Sequence, residues 1–201
     1  MVVICVTGGI ATGKSRFMEH FAEAQSFIAV LDCDRVVHEI MAEEGWASLL
    51  ADVFGKGIQT AEGRIDRAAL GRLVFHDAEK RRLLERLLHP EVRRRCHLAR
   101  EAAQARGGVR IFAMEVPLLY ESGFDVPRDY EIVVASSPGT QRDRIRKTRN
   151  LGDDVMERIL AAQLPIMEKV SRAHIVIWNE GSIPCLKRQA LHLRRLLGNS
   201  L

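Results

Sequence analysis

Residues 8 to 15 read Gly8-Gly9-Ile10-Ala11-Thr12-Gly13-Lys14-Ser15, a complete G-x-x-x-x-G-K-[ST] loop. The glycines let the backbone turn tightly and aim its N–H groups inward, where they can cradle phosphate oxygens. Lys14 can reach the β- and γ-phosphates of a nucleoside triphosphate such as ATP, and the Ser15 hydroxyl can ligate Mg²⁺. The context suits that chemistry. Val2-Val3-Ile4-Cys5-Val6 is an apolar run of the kind found in a strand buried on both faces. Beyond Lys14, Phe17, Met18 and Phe21 recur at helical spacing. Strand, loop and helix thus follow in order, and the helix N-terminus adds its partial positive charge. An ordinary glycine turn would not need those flanks.

Three further groups of residues could do chemistry. Asp32-Cys33-Asp34, followed by His38, ends a second apolar run. In an open α/β sheet, ligands gather outside the carboxyl ends of the strands, so these carboxylates should share a rim with the phosphate loop. One could orient and deprotonate an attacking hydroxyl or hold metal-bound water; it could also simply cap the next helix. Glu115 ends a third apolar run, either as an acidic residue on the metal side or as a solvated strand end. Arg142, Arg146 and Arg149 fall at i, i+4 and i+7, on one helix face before a break at Leu151-Gly152. A basic helix and hinge there could close over a nucleotide and neutralise developing charge. Arg149, nearest the break, is the arginine expected to function; the others, with Arg81-Arg82 and Arg93-Arg94-Arg95, read as solvated faces. His89-Pro90 joins two helices, and a histidine there could cap or contact ligand.

These residues need a scaffold. Strands are expected over 27–31, 109–114, 130–134 and 175–177, with helical periodicity between them. With the first strand this makes about five alternating with helices, the signature of a parallel sheet covered on both faces. From about 35 to 106 the patterns are helical only: Leu70, Leu73 and Val74; then Leu83, Leu84, Leu87 and Leu88; then a helix opening at Pro90. So long a helical block between two strands reads as an inserted lobe. At 201 residues the chain can bury roughly 70% of its unfolded surface without a disulfide or metal staple. The four cysteines, Cys5, Cys33, Cys96 and Cys185, are widely spaced and suggest reduced thiols in a cytoplasmic protein. No apolar run reaches the ~20 residues of a membrane span. The net charge of +4 fits nucleic acid or polyphosphate substrates, but aromatics are only 5% and interleave with no basic run, which favours a small molecule.

In these motifs the chain resembles the dephospho-CoA kinase family. The resemblance rests on Val6-Thr7-Gly8-Gly9-Ile10 with Gly13-Lys14-Ser15, Asp32-x-Asp34 with His38, and Leu88-His89-Pro90. It continues through Val116-Pro117-Leu118-Leu119-x-Glu121, Arg149, Ala161-Ala162-Gln163 and Ile177-x-Asn179-x-Gly181. It implies a P-loop NTPase α/β fold of three layers, α/β/α, with a five-stranded parallel sheet. Residues 1–34 and 107–201 would form the core, with a lid at about 141–163, and 35–106 a helical CoA-binding lobe. The implied reaction is ATP-dependent phosphorylation of the ribose 3′-hydroxyl of dephospho-CoA, by a monomer or weak homo-oligomer without nucleic-acid or membrane partners. Asp34 matches the family's general base, and Thr7, Asp34 and His89 match the acceptor pocket. Gly9, Ala11, Thr12, Gly13, Lys14, Ser15, Arg16 and Asn179 match nucleotide-binding positions. Lys14 and Arg149 would supply positive charge, and Ser15 and Asp32 would face Mg²⁺. The family usually has Gly-Ser where this chain has Ala11-Thr12, and Asp where Trp178 stands.

Other readings of the loop are weaker. A kinase for a nucleoside monophosphate or sugar lacks a reason for the helical block. Asp52-Val53-Phe54-Gly55 fits the D-x-x-G of a GTPase, but no N-K-x-D follows to read guanine. A nucleic-acid-stimulated ATPase would want an Asp-Glu pair at a strand end and stacking aromatics.

Overall fold

The computed structural model describes residues 1–75, 77–149 and 152–199; the side chains of Arg149 and Asn199 lie outside the described residues. The chain divides into two compact units, Met1–Asp32 with Ala99–Leu201, and Cys33–Leu98.

The first unit is built on a sheet of β1 (Val2–Gly8), β2 (Ile28–Asp32), β3 (Ile111–Glu115), β4 (Tyr130–Ala135) and β5 (Ile175–Trp178). The order is β2-β3-β1-β4-β5, and every pairing is parallel. Parallel strands need long crossovers, and here helices provide them. Alternate side chains point to opposite faces. Ile4 and Val6 of β1, with Ile132 and Val134 of β4, pack against Phe17 and Phe21 of α1 (Lys14–Ala22) and Leu186, Ala190 and Leu193 of α9 (Ile183–Asn199). Val133 and Ala135 face the other way, onto Ile166 and Val170 of α8 (Ile166–Arg172). The strands fall where the apolar runs put them; for the inner strands β1, β3 and β4 the reason is burial on both faces, which demands apolar residues throughout. Two more helices, α6 (Pro138–Arg149) and α7 (Asp153–Ala161), occupy the stretch between β4 and α8.

The second unit is helical. It comprises α2 (Cys33–Ala42), α3 (Glu44–Phe54), a 3-10 turn over Lys56–Ile58, α4 (Arg67–Phe75) and most of α5 (Ala78–Ala105). Leu50, Ile58 and Leu70 form its core with Met41, Phe54, Leu84 and Leu87. Asp66 caps α4 by accepting from the Ala68 and Ala69 N–H groups, and Asp77 caps α5 through Glu79 and Lys80. Gly55, at φ 89°, ends α3.

One expectation is corrected here. No helix opens at Pro90: α5 runs continuously through it, so His89 lies within one helix instead of joining two. An interior proline removes one hydrogen bond and costs about 3 kcal/mol. Leu88, Val92 and Cys96, buried at i, i+4 and i+8 across the proline, offset that loss at about 1.5–3 kcal/mol for each large apolar side chain. Pro90 itself is exposed. Glu91 adds ion pairs to Arg94 and Arg95 just beyond it. The four cysteines are free thiols, as expected, and two of them meet in space. Cys33 and Cys96 are both buried, with sulfurs 3.9 Å apart.

Candidate active site

The phosphate loop rises from the end of β1, and its glycines are dictated by close contacts. Gly8 pairs in register with Val134, and a Cβ on it would stand 2.4 Å from the Val134 carbonyl oxygen. A Cβ on Gly9 would meet Gln141 Nε2 at 2.5 Å, and Gly13, at φ 94°, lies against Asn179. Ala11 takes a left-handed φ of 59°, a conformation that glycine adopts without strain.

The loop is held from outside by its carbonyls. Asn179, buried in the turn after β5, donates its Nδ2 to the Thr12 carbonyl at 2.9 Å. Arg144 of α6 donates to the carbonyls of Ala11 and Thr12, each at 3.3 Å, and to that of Asn179 at 2.9 Å. Gln141 donates to the Ile10 carbonyl at 2.8 Å, while Gln163 accepts from the Ile10 N–H at 2.9 Å. Carbonyl and N–H point oppositely across a planar trans peptide. With the Thr12 carbonyl tied outward, the Gly13 N–H therefore faces the inside of the loop. The first-turn amides of α1 follow, and helix geometry leaves them without intrahelical acceptors. The inside of the loop is a nest for an anion.

Lys14, the first residue of α1, forms an ion pair with Glu115 at the end of β3. Ser15 donates its hydroxyl to the same carboxylate oxygen at 3.2 Å. Glu115 is therefore not a solvated strand end, and it joins the phosphate loop. Asp32 ends β2 directly beside it, in register. Two carboxylates and a hydroxyl thus crowd the rim near the loop lysine. These are hard oxygen donors of the kind that bind Mg²⁺, which keeps several waters and takes few protein ligands. No cluster of three or more His, Cys, Asp or Glu side chains suited to a metal occurs among the described residues.

The remaining expected residues are distributed as follows. Thr12 is buried and bonds back to the Gly9 carbonyl at 2.9 Å. Thr7 is fully buried, and its hydroxyl donates to the Pro117 carbonyl at 3.1 Å. Arg16 is exposed and pairs with Glu19 along α1. Asp34 lies in the first turn of α2, exposed, in the helical unit. Two residues of chain can carry it no farther than about 7 Å from Asp32. His89 is half-buried on α5, and burial pushes its imidazole below the usual histidine range, assisted by Arg93 and opposed by Glu85. Arg149 is the last residue of α6, but its side chain falls outside the described residues.

The other arginines of α6 do not form a uniform solvated face. Arg142 and Arg146 bind Glu157 and Asp153 of α7, cross-linking the two helices. Arg144, expected to be solvated, turns inward to the loop carbonyls, because its position lies three residues from Gln141 on the face toward the loop. Glu180 fixes that helix, accepting from the Ser137 N–H and from the Thr140 hydroxyl at its start. Sequence reasoning also missed Lys169. A lysine at i+3 from Ile166 and one before Val170, on the apolar stripe of α8, was the available signal.

Comparison with known proteins agrees with this geometry. A family model described as dephospho-CoA kinase matches residues 2–184. A dephospho-CoA kinase from Bacillus licheniformis is 39% identical over 198 residues, covering 98% of this chain and 95% of that protein. A solved structure from Thermus thermophilus superposes with a TM-score of 0.80 at 32% identity, covering 98% of this chain and 97% of that one. The fold is also that of dephospho-CoA kinase from Campylobacter jejuni, with a TM-score of 0.63 at 24% identity, covering 97% and 96% of the two chains. Loop, rim carboxylates, strand order and relatives converge: the chain belongs to the dephospho-CoA kinase family.

Proposed function

We propose that this chain transfers the γ-phosphoryl group of ATP to the ribose 3′-hydroxyl of dephospho-CoA, giving coenzyme A and ADP. The observation that carries the reading is the outward anchoring of the loop carbonyls, which leaves an amide nest beside Lys14 and the Glu115 carboxylate. Phosphoryl transfer passes through a loose transition state with little covalent work for the protein, so positioning and charge neutralisation dominate. The amides hold the triphosphate. Lys14 leaves its pairing with Glu115 to meet the β- and γ-phosphates, and Arg149 adds positive charge from the end of α6. Ser15, with Asp32 and Glu115 on the rim, would hold Mg²⁺ directly or through water; when bound, Mg²⁺ neutralises charge on the phosphate oxygens.

Asp34 orients the acceptor hydroxyl and takes its proton late. His89, favoured in its neutral form by burial, offers the acceptor a ring nitrogen without adding charge. Residues 35–106 serve as the acceptor-binding lobe, and α6 with α7 as a lid stiffened by the Arg142–Glu157 and Arg146–Asp153 pairs. The protein works in the cytoplasm as a monomer or weak homo-oligomer, without nucleic-acid or membrane partners. No helix among the described residues is long and apolar enough to cross a membrane.

The test is ADP release from ATP over a panel of acceptors: dephospho-CoA, adenosine monophosphate, shikimate and pantetheine derivatives. Strict dependence on dephospho-CoA is expected. Equal or faster turnover with another acceptor would replace the substrate assignment while leaving the kinase chemistry in place.

A further inference from the structure

Lys169 is completely buried, a rare location for an ammonium group. Its Nζ lies 2.5 Å from Glu121 Oε1 and 3.2 Å from the carbonyl oxygen of Gly8, the last residue of β1. Glu121 Oε1 also accepts from the Leu164 N–H at 3.0 Å. Gln163, the preceding residue, takes the Ile10 N–H. The segment Gly8–Ile10, where strand becomes phosphate loop, is thus held at both ends. Lys169 takes the first carbonyl and Gln163 the last amide, and Glu121 links Lys169 to the Leu164 N–H beside Gln163.

Stability does not account for this lysine. Buried ion pairs are often matched or bettered by apolar side chains of similar volume, and a methionine would fill the same space. What methionine lacks is a donor for the Gly8 oxygen. That oxygen shares a rigid plane with the Gly9 N–H, so fixing one fixes the direction of the other. Gly8 and Gly9 carry no side chain that packing could grip, and each is closed in by a neighbour that forbids one. Beyond the strand pairing of Gly8 with Val134, the hydrogen bond from Lys169 to the carbonyl is the contact that sets this peptide's orientation.

We propose that Lys169 is a positioning residue for nucleotide binding and phosphoryl transfer: its bond to the Gly8 carbonyl sets the plane of the Gly8–Gly9 peptide, and Glu121 keeps the ammonium in place. The inference rests on the kinase reading for its catalytic consequence, but not for its effect on nucleotide binding.

The experiment separates the charge pair from the carbonyl bond. Four full-length variants are compared with the parent chain: Lys169→Met, Glu121→Gln, Lys169→Met with Glu121→Gln, and Lys169→Arg. Thermal unfolding, ADP affinity by calorimetry and steady-state kinetics with dephospho-CoA are measured on each. Lys169→Met should lower the Tm, because it strands a buried carboxylate. The double variant should recover most of that Tm, yet both it and Lys169→Met should bind ADP about tenfold or more weakly, the usual scale for losing a hydrogen bond from a charged donor. Their kcat/KM for ATP should fall in parallel while KM for dephospho-CoA stays within about twofold. Glu121→Gln, which keeps the donor, should lose less ADP affinity than Lys169→Met, and Lys169→Arg should recover part of it.

Recovery of both Tm and ADP affinity in the double variant would overturn the proposal, leaving a merely structural pair. Should the double variant not fold, equal loss of ADP affinity in Glu121→Gln and Lys169→Met would overturn it instead. A parent chain inactive on dephospho-CoA would sink the kinase reading and leave the ADP comparison standing.

Discussion

Lys14 and Glu115, 101 positions apart in the chain, form an ion pair at the carboxyl rim of the sheet with only 12% and 13% of their side chains exposed. The pairing follows from topology. β3 runs beside β1 with Val6 opposite Glu115, so the end of one strand faces the helix that leaves the other. Glu115 thus holds the loop lysine at the rim.

Glu115→Gln should destabilise the nucleotide-free protein by about 2 kcal/mol, because it strips a largely buried ammonium of its counter-charge. Urea unfolding without nucleotide checks this. The same variant should need more Mg²⁺ for half-maximal rate, since a rim carboxylate has been lost. An unchanged Mg²⁺ titration would remove Glu115 from the metal side.

Asp34→Asn should cut kcat by a factor of about 10²–10⁴, the usual range for a lost general base, while KM for ATP stays within about twofold. Initial rates at varied ATP and dephospho-CoA distinguish the outcomes. Unaltered turnover would take Asp34 out of the mechanism.

Ala11 holds a left-handed backbone at φ 59° in a position where glycine would be unstrained. Ala11→Gly should therefore raise stability by about 1 kcal/mol, partly offset by the greater freedom of glycine in the unfolded chain. Differential scanning calorimetry would register a higher Tm. A fall would mean that the Ala11 methyl packs favourably enough to outweigh its strain.

Arg144 and Arg146 sit two residues apart on α6 and should behave differently. Arg144→Met removes donors from two loop carbonyls and from that of Asn179, and should weaken ATP binding by about tenfold or more. Arg146→Ala removes exposed pairs to Asp143 and Asp153 and should change stability by under about 1 kcal/mol. Equal effects from the two would contradict the inward placement of Arg144.

Glu91 gives the helical unit an acid-sensitive clasp. Hydrogen bonds from Arg94 and then Arg95 pull its carboxyl from 4.5 down to about 2. A depressed carboxyl stabilises the fold above its unfolded value and loses that contribution as pH falls from 4.5 through about 2. Stability measured across this window should fall less steeply in Glu91→Gln than in the parent chain. Parallel curves would show that the clasp contributes nothing to the fold.

The phosphate loop was legible because its chemistry lies in eight consecutive residues flanked by an apolar strand and an amphipathic helix. The three inner strands were legible for a related reason: a parallel strand covered on both faces is apolar along its length, and that signal is local. The edge strands β2 and β5 are apolar runs too, although Val30, Val176 and Trp178 are exposed. Pro90 misled because a local rule, that proline opens or breaks helices, was overridden by Leu88, Val92 and Cys96 packing on both sides of it. The motif carrying Glu121 and the Ala-Ala-Gln stretch could be recognised by resemblance, but neither spacing nor periodicity said what those side chains touch.

Sequence alone determined the ligand class, the sheet and the family, since each is written in contiguous or periodic residues. Tertiary structure decided which charges turn inward: Glu115 onto Lys14, Arg144 onto the loop carbonyls, Lys169 onto Gly8. A charged residue is usually a solvated one, and nothing local distinguishes the exception. Only the meeting of strands and helices more than 100 residues apart removes water from these groups and gives each a partner.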